Sequence, residues 1–328
     1  MISRTRRRLM LAGIGAAATG LSLPSPAQAP AWPTQPIRIV VPFGAGGVAD
    51  LTARVVAQHL GQSLGQAVIV DNRPGAGGVV ASDLVAKAPA DGHTLLLMSN
   101  ATAVSANLFK TLPFDALRDF APISTLGTFD LGLLSRTDGP FRNAADLLAF
   151  ARANPGRLNI GSINVGSTQH LAAELLKIQG KVDVQVVPFN GSPAVLTALR
   201  GGQIDAAVEI LAPVMAQVTS GALRVLAVTG DRRLPTLPDV PTVAESGVAG
   251  YVATSWNALA APARTPGAVI DRLQRAVAAA LADAEVLKKL RALYVAPASS
   301  TPQKARELLA SETTRWGDVI ARAGIAKQ

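Results

Sequence analysis

The segment that most constrains the fold runs from Ile37 to Asp71 and has the pattern strand, glycine loop, helix, strand. The β-branched run Ile37–Val41 predicts a buried strand, and glycines at positions 44, 46 and 47 follow it directly. The helical pattern begins near Asp50. Backbone N–H groups therefore lie unshielded at a helix start, where the helix dipole favours an anion. The segment predicts either a dinucleotide phosphate site or a carboxylate site.

The alternation of strands and helices continues along the chain. Strands are predicted at Ile37–Val41, Ala67–Val70, Thr94–Met98, Leu131–Ser135, Leu158–Ile160, Val184–Pro188, Ala206–Val208 and Leu223–Val228. Helices are predicted at Asp50–Leu64, Val80–Lys87, Ala144–Ala153, Gln169–Gln179, Ser192–Arg200 and Ala212–Ser220, with two more after Pro266 and Pro302. This order is typical of α/β proteins with mostly parallel sheets flanked by helices. A chain of 328 residues usually forms two lobes rather than one core.

Residues 1–29 have the pattern of an export signal. Arginines at positions 4, 6, 7 and 8 precede a mildly apolar stretch, and small residues end in the sequence Ala27-Gln28-Ala29. The sequence Thr5–Met10 fits a twin-arginine (Tat) signal, and an ordinary Sec signal with extra arginines fits as well. Within positions 27–29, cleavage is expected after Ala27, because cleavage after Ala29 would place Pro30 next to the cut bond. The mature protein is predicted to be periplasmic.

Composition excludes several classes of function. Four of the nine net positive charges belong to the signal arginines, which leaves +5 on the remaining chain without a basic stripe, so no nucleic-acid partner is expected. The chain has no cysteine, which excludes disulfides, thiolate chemistry and a lipid-modified cysteine. The three histidines are far apart in sequence, and none has a ligand at metal-binding spacing. No G-x-S-x-G, H-E-x-x-H, P-loop or kinase motif is found, and we expect neither a metal nor a cofactor. Of the three histidines, His170 is a candidate for supporting a binding loop.

Four polar loops follow predicted strands and are candidate binding loops. They are Pro42–Asp50, Ser99–Thr102, Gly161–His170 and Phe189–Ser192. Because ligands of parallel sheets bind beyond the carboxyl ends of the strands, loops at these positions are expected to meet in one cleft. Hydroxyl groups and backbone N–H groups at helix starts suit a carboxylate.

The dinucleotide alternative also satisfies the spacing. Gly44, Gly46 and Ala49 match the G-x-G-x-x-G/A pattern after a strand, and Asp71 stands where a ribose-binding acid belongs. An exported NAD(P)-dependent oxidoreductase of the Rossmann type is therefore the alternative function. The export signal and the lack of hydride-transfer residues argue against it.

Several long stretches, in this order along the chain, resemble the Bug-type receptors, the periplasmic solute-binding proteins of tripartite tricarboxylate transporters. They are PIRIVVPFGAGGVAD, VIVDNRPGAGG, APADGHTLLL, LPFDALRDFAPIS, GSINVGSTQHLAAELL, VPFNGSPAVLTALRGGQIDAA, LRVLAVTGDRRLPTLPDVPTVAESG and SWNALAAP. The resemblance extends from Trp32 to about Gly324.

The resemblance implies a two-lobed type II periplasmic binding protein, a Venus flytrap in which each lobe is a mostly parallel sheet flanked by helices. Lobe one would comprise residues 30–127 plus 255–328, and lobe two residues 128–254. The hinges would lie near Gly127–Asp130 and Val252–Trp256.

The resemblance also implies a small carboxylated solute held by loops from both lobes. The positions that match the family's binding residues are Phe43, Gly46, Gly47, Asp50, Ser99, Asn100, Thr102, Ser162, Asn164, Gly166, Ser167, Thr168 and Asn190. Phe43 would either cover an apolar part of the solute or pack at the strand end. Asp50 is expected to cap the helix and order the loop rather than touch the anion.

Three departures from the family pattern concern the ligand. Ala49 replaces a hydroxyl residue, and Gly44-Ala45 replaces prolines. Glu209-Ile210 stands where relatives carry Asp-Asn, and Glu209 is included among the candidate ligand-binding residues on the expectation that it faces the cleft rather than solvent. A carboxylate there would favour a solute with an amine or a neutral distal end.

The function implied by the resemblance is transport without catalysis. The chain would be a monomeric receptor, not an enzyme, that captures a small carboxylate and delivers it to inner-membrane permease subunits. A receptor that reports to a sensor kinase is the second alternative, and the sequence alone does not separate it from transport.

Overall fold

Strands and helices alternate along the chain in the computed structural model, which describes residues 32–328. The predicted export signal and its cleavage position lie outside these residues. Within them, strands β1–β10 lie at Ile37–Val41, Val68–Asn72, Thr94–Ser99, Phe120–Arg136, Leu158–Ile163, Val184–Phe189, Ala206–Ile210, Leu223–Val228, Thr254–Pro262 and Val295–Pro297. Helices α1–α10 lie at Val48–Leu64, Val79–Ala86, Asn100–Leu108, Ala144–Ala153, Thr168–Gly180, Ser192–Arg200, Leu211–Thr219, Gly267–Ala280, Ala284–Ala292 and Pro302–Arg322.

The strands form two half-sheets that share β4. In the first half-sheet the order is β2-β1-β3-β9-β4, with β1 parallel to β2 and β3 and with β9 antiparallel to both of its neighbours. In the second, β5 lies in parallel between β6 and β7, and β4 lies antiparallel between β7 and β8. The loops that follow β1, β3, β5 and β6 therefore leave from the carboxyl ends of parallel strands, where ligands bind in such sheets.

Strand β4 passes from one half-sheet to the other at a single peptide. Its residues up to Asp130 pair with β9, ending with the pair Asp130 and Thr254, and from Leu131 onward it pairs with β7 and β8. Gly127 lies where the short strand β10 pairs with β4, and a Cβ at that position would lie 2.6 Å from the carbonyl oxygen of Ala296. Only glycine fits this close approach of two backbones.

Most of the predicted elements are confirmed. Ile37–Val41, Leu223–Val228, Ala144–Ala153 and Ser192–Arg200 have the predicted bounds. The predicted strand Leu131–Ser135 is only the last part of the 17-residue strand β4, and the sequence patterns did not predict β9, β10, α3 or α9. The predicted α/β class with flanking helices is confirmed.

Apolar side chains bury the two faces of the half-sheets. One core is continuous from α3 and α10 to α4 and α5, and includes Val104, Leu108, Leu148, Leu171 and Trp316. Because α3 follows a strand of the first half-sheet and α5 follows a strand of the second, this core joins the loops of the two halves. Among residues 32–328, no helix combines the length and apolar character that crossing a membrane requires.

The sheet contradicts the Rossmann alternative. A Rossmann sheet has the strand order 3-2-1-4-5-6, whereas here β3 lies beside β1 and is followed by the antiparallel strand β9. The carboxylate of Asp71 is also already engaged, because Arg38 and Arg73 lie 3.4 and 3.0 Å from its oxygens. The glycine loop thus belongs to a different sheet topology from that of a dinucleotide enzyme.

Candidate functional site

A cleft of about 350 Å³ lies between the glycine loop after β1 and the loop after β5. Its lining residues are Pro42, Phe43, Gly44, Pro74, Gly75, Ala76, Gly77, Gly78, Ala101, Val104, Ser105, Leu108, Phe109, Ile163, Asn164, Val165, Gly166 and Ser167. None of these residues has an ionisable side chain. Both lining serines donate their O–H to carbonyls, Ser105 to Thr102 and Ser167 to Ile163. The cleft can therefore recognise an anion only through backbone N–H groups, one asparagine and helix dipoles.

Four of the predicted binding residues line this cleft: Phe43, Asn164, Gly166 and Ser167. Asn190 lies in an adjoining depression of about 490 Å³, which also includes Asn164 and shares several other residues with the cleft. The other predicted residues are not among the lining side chains: Gly46, Gly47, Asp50, Ser99, Asn100, Thr102, Ser162, Thr168 and Glu209. Several of these support the walls instead.

The loop between β5 and α5 presents a helix start to the cleft. Ser167 is the N-cap of α5; its Oγ accepts a hydrogen bond from the His170 N–H at 3.1 Å and donates to the Ile163 carbonyl at 2.8 Å. The first backbone hydrogen bond of the helix joins the Leu171 N–H to the Ser167 carbonyl. The N–H groups of Thr168 and Gln169 therefore have no partner within the helix, as is usual at a helix start. Neither residue lines the cleft itself, and Gln169 is buried.

His170 supports this loop as a neutral side chain. Its Nδ1 accepts a long hydrogen bond, 3.5 Å, from the Gly166 N–H. Burial lowers the pKa of His170 from 6.5 to about 4, so the ring is neutral at physiological pH. The positive potential at the start of α5 thus comes from backbone N–H groups and not from a charged histidine.

The glycine loop after β1 is held from behind by Asp50. Its carboxylate accepts the Gly46 N–H at 2.8 Å and pairs with Arg54 at 3.0 Å, and the Asn72 amide donates to the Phe43 carbonyl at 3.0 Å. Burial raises the pKa of Asp50, but hydrogen bonds from Arg54, Gly46 and Asn72 outweigh burial and hold it below its ordinary value. Asp50 orders the loop, as the sequence predicts, but the prediction that it caps the helix is wrong, because the N-cap of α1 is Gly47. Asp50 does not line the cleft.

The polar residues at the start of α3 are used within the protein. Ser99 is the N-cap, its Oγ accepts the Ala101 N–H at 3.2 Å, and the Thr102 hydroxyl accepts the Ser99 N–H at 3.4 Å in a capping box. The Asn100 amide donates to the Thr254 carbonyl at 3.0 Å, whereas its buried Oδ1 has no protein partner. Of these three candidates, only Asn100 keeps a free polar atom.

Sequence reasoning missed two parts of the cleft wall. One is Pro74–Gly78, a turn in which Gly75, Gly77 and Gly78 all have positive φ. Its glycine run was a usable signal for a backbone that closely approaches a ligand. The other part is the apolar face of α3, with Leu108 at its end. No local pattern marked that helix as a cleft wall.

Gly166 and Leu108 bring the two walls together. Gly166 has φ +80°, and a Cβ at this position would overlap the Leu108 side chain, whose Cδ1 would lie 3.1 Å away. Leu108 ends α3, which follows a strand of the first half-sheet, and Gly166 lies in the loop after β5 of the second half-sheet. The close contact between the two walls depends on the absence of a side chain at position 166.

The position of Glu209 corrects the expectation drawn from the sequence. Glu209 faces neither the cleft nor solvent: it is fully buried, and its Oε2 accepts hydrogen bonds from Ser192 Oγ at 2.8 Å and Gln169 Nε2 at 3.4 Å. Burial raises its pKa from 4.5 to about 7, although hydrogen bonds from Ser192, Gln169 and the Ile210 backbone lower it in part. Its inward orientation follows from contacts with α5 and α6 that the sequence of β7 does not show.

A second buried acid lies where β4 passes between the half-sheets. Burial and the nearby charge of Asp231 raise the pKa of Asp130 to about 6, and Arg232 opposes the shift. Within the described residues, no group of three or more histidine or acidic side chains is arranged to hold a metal ion. Neither acid therefore belongs to a metal-binding cluster in that part of the chain.

Replacing Ser167 with alanine should lower the free energy of unfolding by about 1 kcal/mol, because the N-cap of α5 is lost. Urea unfolding followed by tryptophan fluorescence measures the change. Ser311→Ala is the matched control, since its exposed hydroxyl only bonds back to the Leu308 carbonyl within α10. Equal losses in the two variants would show that Ser167 does not act as a cap.

Comparison with known proteins identifies the family. The sequence model described as tripartite tricarboxylate transporter family receptor matches residues 52–325. The protein BugT of Bordetella pertussis is 36% identical over 320 residues, which cover 97% of this chain and 98% of BugT.

Solved structures agree with this assignment. The Rhodopseudomonas palustris protein Rpa4515 with adipate has a TM-score of 0.82 and 35% identity, covering 90% of this chain and 100% of that one. The periplasmic binding protein BugD has a TM-score of 0.79 and 30% identity at the same coverage. MatC from R. palustris, solved with bound malate, has a TM-score of 0.76 and 30% identity, covering 88% of this chain and 100% of MatC.

These matches confirm the resemblance found in the sequence motifs and the two-lobed fold of periplasmic binding proteins. They extend over nearly the whole described chain rather than over the glycine loop alone. The chain therefore belongs to the tripartite tricarboxylate transporter receptor family, and it is a solute-binding receptor rather than an enzyme.

Proposed function

We propose that this receptor captures a small carboxylate in the cleft between the glycine loop and the start of α5, and delivers it to a membrane permease. The observation that carries the proposal is the cleft lining, which combines a helix start with glycine-rich backbone and contains no ionisable side chain. A carboxylate at the start of α5 would accept the N–H groups of Thr168 and Gln169. A cationic solute would find no acidic partner there.

The affinity has to come from several sources. A micromolar dissociation constant corresponds to about 8 kcal/mol, whereas one helix start contributes about 0.3–1 kcal/mol to binding an anion. Burying apolar surface contributes about 2.5 kcal/mol per 100 Å². Phe43, Val104, Leu108 and Phe109 offer such surface along the cleft. The solute is therefore expected to have an apolar body as well as a carboxylate, and two of the solved relatives hold adipate and malate.

The location, assembly and lobe boundaries belong to the same proposal. We place the mature receptor in the periplasm as a monomer, after removal of the signal at residues 1–29. Lobe one would comprise residues 30–127 plus 255–328, and lobe two residues 128–254, with the passage of β4 at Asp130 as one hinge. Closure of the lobes over the solute would present both lobes to the permease, because the closed state binds the solute better.

Multi-angle light scattering of the secreted protein tests whether the receptor is a monomer.

A thermal-shift screen tests the proposed function. The panel contains adipate, malate, glutamate and benzoate, together with NAD. Ligand at a hundredfold excess over its dissociation constant stabilises the folded state by about 2.7 kcal/mol, which corresponds to a rise in melting temperature of roughly 5 °C. We expect at least one of the acids to give such a rise and NAD to give none.

Two controls make the screen specific. Dimethyl adipate keeps the apolar body of adipate but has no carboxylate, and it should give no shift if the anion is recognised at the start of α5. The variant Gly166→Ala should show a smaller shift with the same acid, because its side chain would push the two walls of the cleft apart. No rise in melting temperature with any of the four acids, or an equal rise with dimethyl adipate and adipate, would contradict the proposal.

A further inference from the structure

The carboxylate of Glu209 lies at the starts of two helices that face the cleft or its adjoining depression. One of its partners, Gln169, is the second residue of α5, and the other, Ser192, is the first residue of α6. Ser167, two residues before Gln169, lines the cleft, and Asn190, two residues before Ser192, lines the depression. Glu209 therefore contacts the starts of the same two helices whose opposite side faces the cleft and the depression, where the solute would bind.

The charge of Glu209 has no counter-ion in the described part of the chain. Its two side-chain partners are neutral, its Oε1 is buried without a partner, and the buried Oγ of Ser162 on β5 also has none. The ionisable residues on the elements packed against β7 are Asp130, Arg136, His170, Glu174, Lys177 and Arg200, and none of them forms an ion pair with Glu209. The helix ends are thus the main source of positive potential near this carboxylate.

The affinity for an anionic solute differs between the two protonation states of Glu209. As a carboxylate, Glu209 competes with the solute for the positive potential of the helix ends and repels it through a protein interior of low dielectric. As a neutral acid, it removes this repulsion, and its O–H can donate a hydrogen bond. A solute anion at the start of α5 must therefore raise the affinity of Glu209 for a proton, and the proton must raise the affinity for the anion by the same factor.

We infer that Glu209 couples capture of the anionic solute to uptake of one proton, so that the receptor carries its solute with Glu209 in the neutral form. The inference rests on the proposed function, because it requires a solute carboxylate at the start of α5. On binding, a proton from solvent joins one carboxylate oxygen of Glu209, and on release the same proton returns to solvent. Glu209 acts here as a positioning residue that sets the charge of the site without touching the solute.

The linkage fixes the direction of the pH dependence. Burial places the pKa of the free receptor's Glu209 at about 7, and the bound anion raises that pKa further. Affinity is highest below the pKa of the free receptor and falls as pH rises between the two pKa values. With a coupling of about 100-fold between the proton and the anion, the affinity should fall about 20-fold between pH 6.5 and pH 8.5.

The test is calorimetric titration with adipate at several pH values from 6 to 8.5, on the wild type, Glu209→Gln and Glu307→Gln. Glu307 is an exposed acid on α10, so Glu307→Gln removes the same charge far from β7 and should keep the wild-type pH profile. Glu209→Gln should bind adipate with nearly constant affinity. Titration of the wild type in two buffers of different ionisation enthalpy should show uptake of about half a proton at pH 7, rising to about 0.8 of a proton near pH 8. This measurement needs no variant.

Each outcome decides the inference. Wild-type affinity that falls with pH, a flat profile for Glu209→Gln and measured proton uptake support the coupling. If the wild type binds adipate equally well at every pH, or if Glu209→Gln keeps the wild-type slope, the coupling is wrong and the proposed function stands. If none of the four acids of the thermal-shift panel binds, the proposed function fails, and the coupling fails with it.

Discussion

Replacing Glu209 with glutamine should raise the free energy of unfolding at pH 8 by about 3 kcal/mol and leave it nearly unchanged at pH 4.5. Burial raises the pKa of Glu209 from 4.5 to about 7, so the folded state holds its proton more tightly than the unfolded chain does. The associated stability is fully present below pH 4.5 and is lost as pH rises to 7 and above. Glutamine keeps the size of the side chain and cannot ionise, so it avoids the loss.

Urea unfolding between pH 4.5 and 8, followed by the fluorescence of the buried Trp256 and Trp316, measures this difference. Asp130 also has a raised pKa, about 6, and its contribution to the slope remains in both proteins, so the difference between them isolates Glu209. Glu307→Gln is again the control for loss of one acid, and it should follow the wild type. Parallel profiles for the wild type and Glu209→Gln would show that Glu209 does not titrate near neutral pH in the folded protein.

Replacing Gly166 with alanine should weaken adipate binding at least 10-fold, and adding Leu108→Ala should restore part of the loss. The new Cβ would overlap the Leu108 side chain from the opposite wall, so the cleft could not close to its present width. Leu108→Ala removes that overlap. The double variant still carries the backbone strain of a non-glycine residue at φ +80°, which lowers stability by about 1–2 kcal/mol.

The control variant Gly221→Ala distinguishes the effect of backbone strain from the effect of overlap with the Leu108 side chain. Gly221 has a similar φ of +77°, but a Cβ there would meet no atom within 4 Å, and the residue lies outside the cleft. This control should lower stability by about 1–2 kcal/mol and leave adipate affinity unchanged. Equal binding losses in Gly166→Ala and Gly221→Ala, or no recovery in the double variant, would show that the contact between the walls does not set the width of the cleft.

The sequence predicted most of the local structure because its signals are local. The β-branched run Ile37–Val41 and the glycines after it need only nearest neighbours to become a strand and a loop. Strand β9, Thr254–Pro262, was not predicted, because it is buried on both faces and shows no alternation of polar and apolar residues. Most of β4 was missed because Pro122 and Gly127 interrupt its pattern, and its pairing partner β9 lies more than a hundred residues away in sequence.

The position of the candidate site could be predicted from the sequence, but which polar side chains are taken up by hydrogen bonds within the protein could not. The sequence predicts the loops after β1 and β5 as binding loops, and they form opposite walls of the cleft. Ser99 and Thr102, however, satisfy each other in a capping box, and the Ser167 hydroxyl caps α5, so their polar groups are occupied by the backbone. The inward orientation of Glu209 depends on α5 and α6, which no pattern within β7 reveals.

A structure of the receptor bound to the acid that gives the largest thermal shift tests whether the start of α5 holds the anion. We expect one carboxylate of that acid in the cleft, within hydrogen-bond distance of the N–H groups at the start of α5, with its apolar part against Leu108 or Phe109. An acid bound in the cleft with its carboxylate pointing away from α5, or bound outside the cleft, would contradict the proposed function.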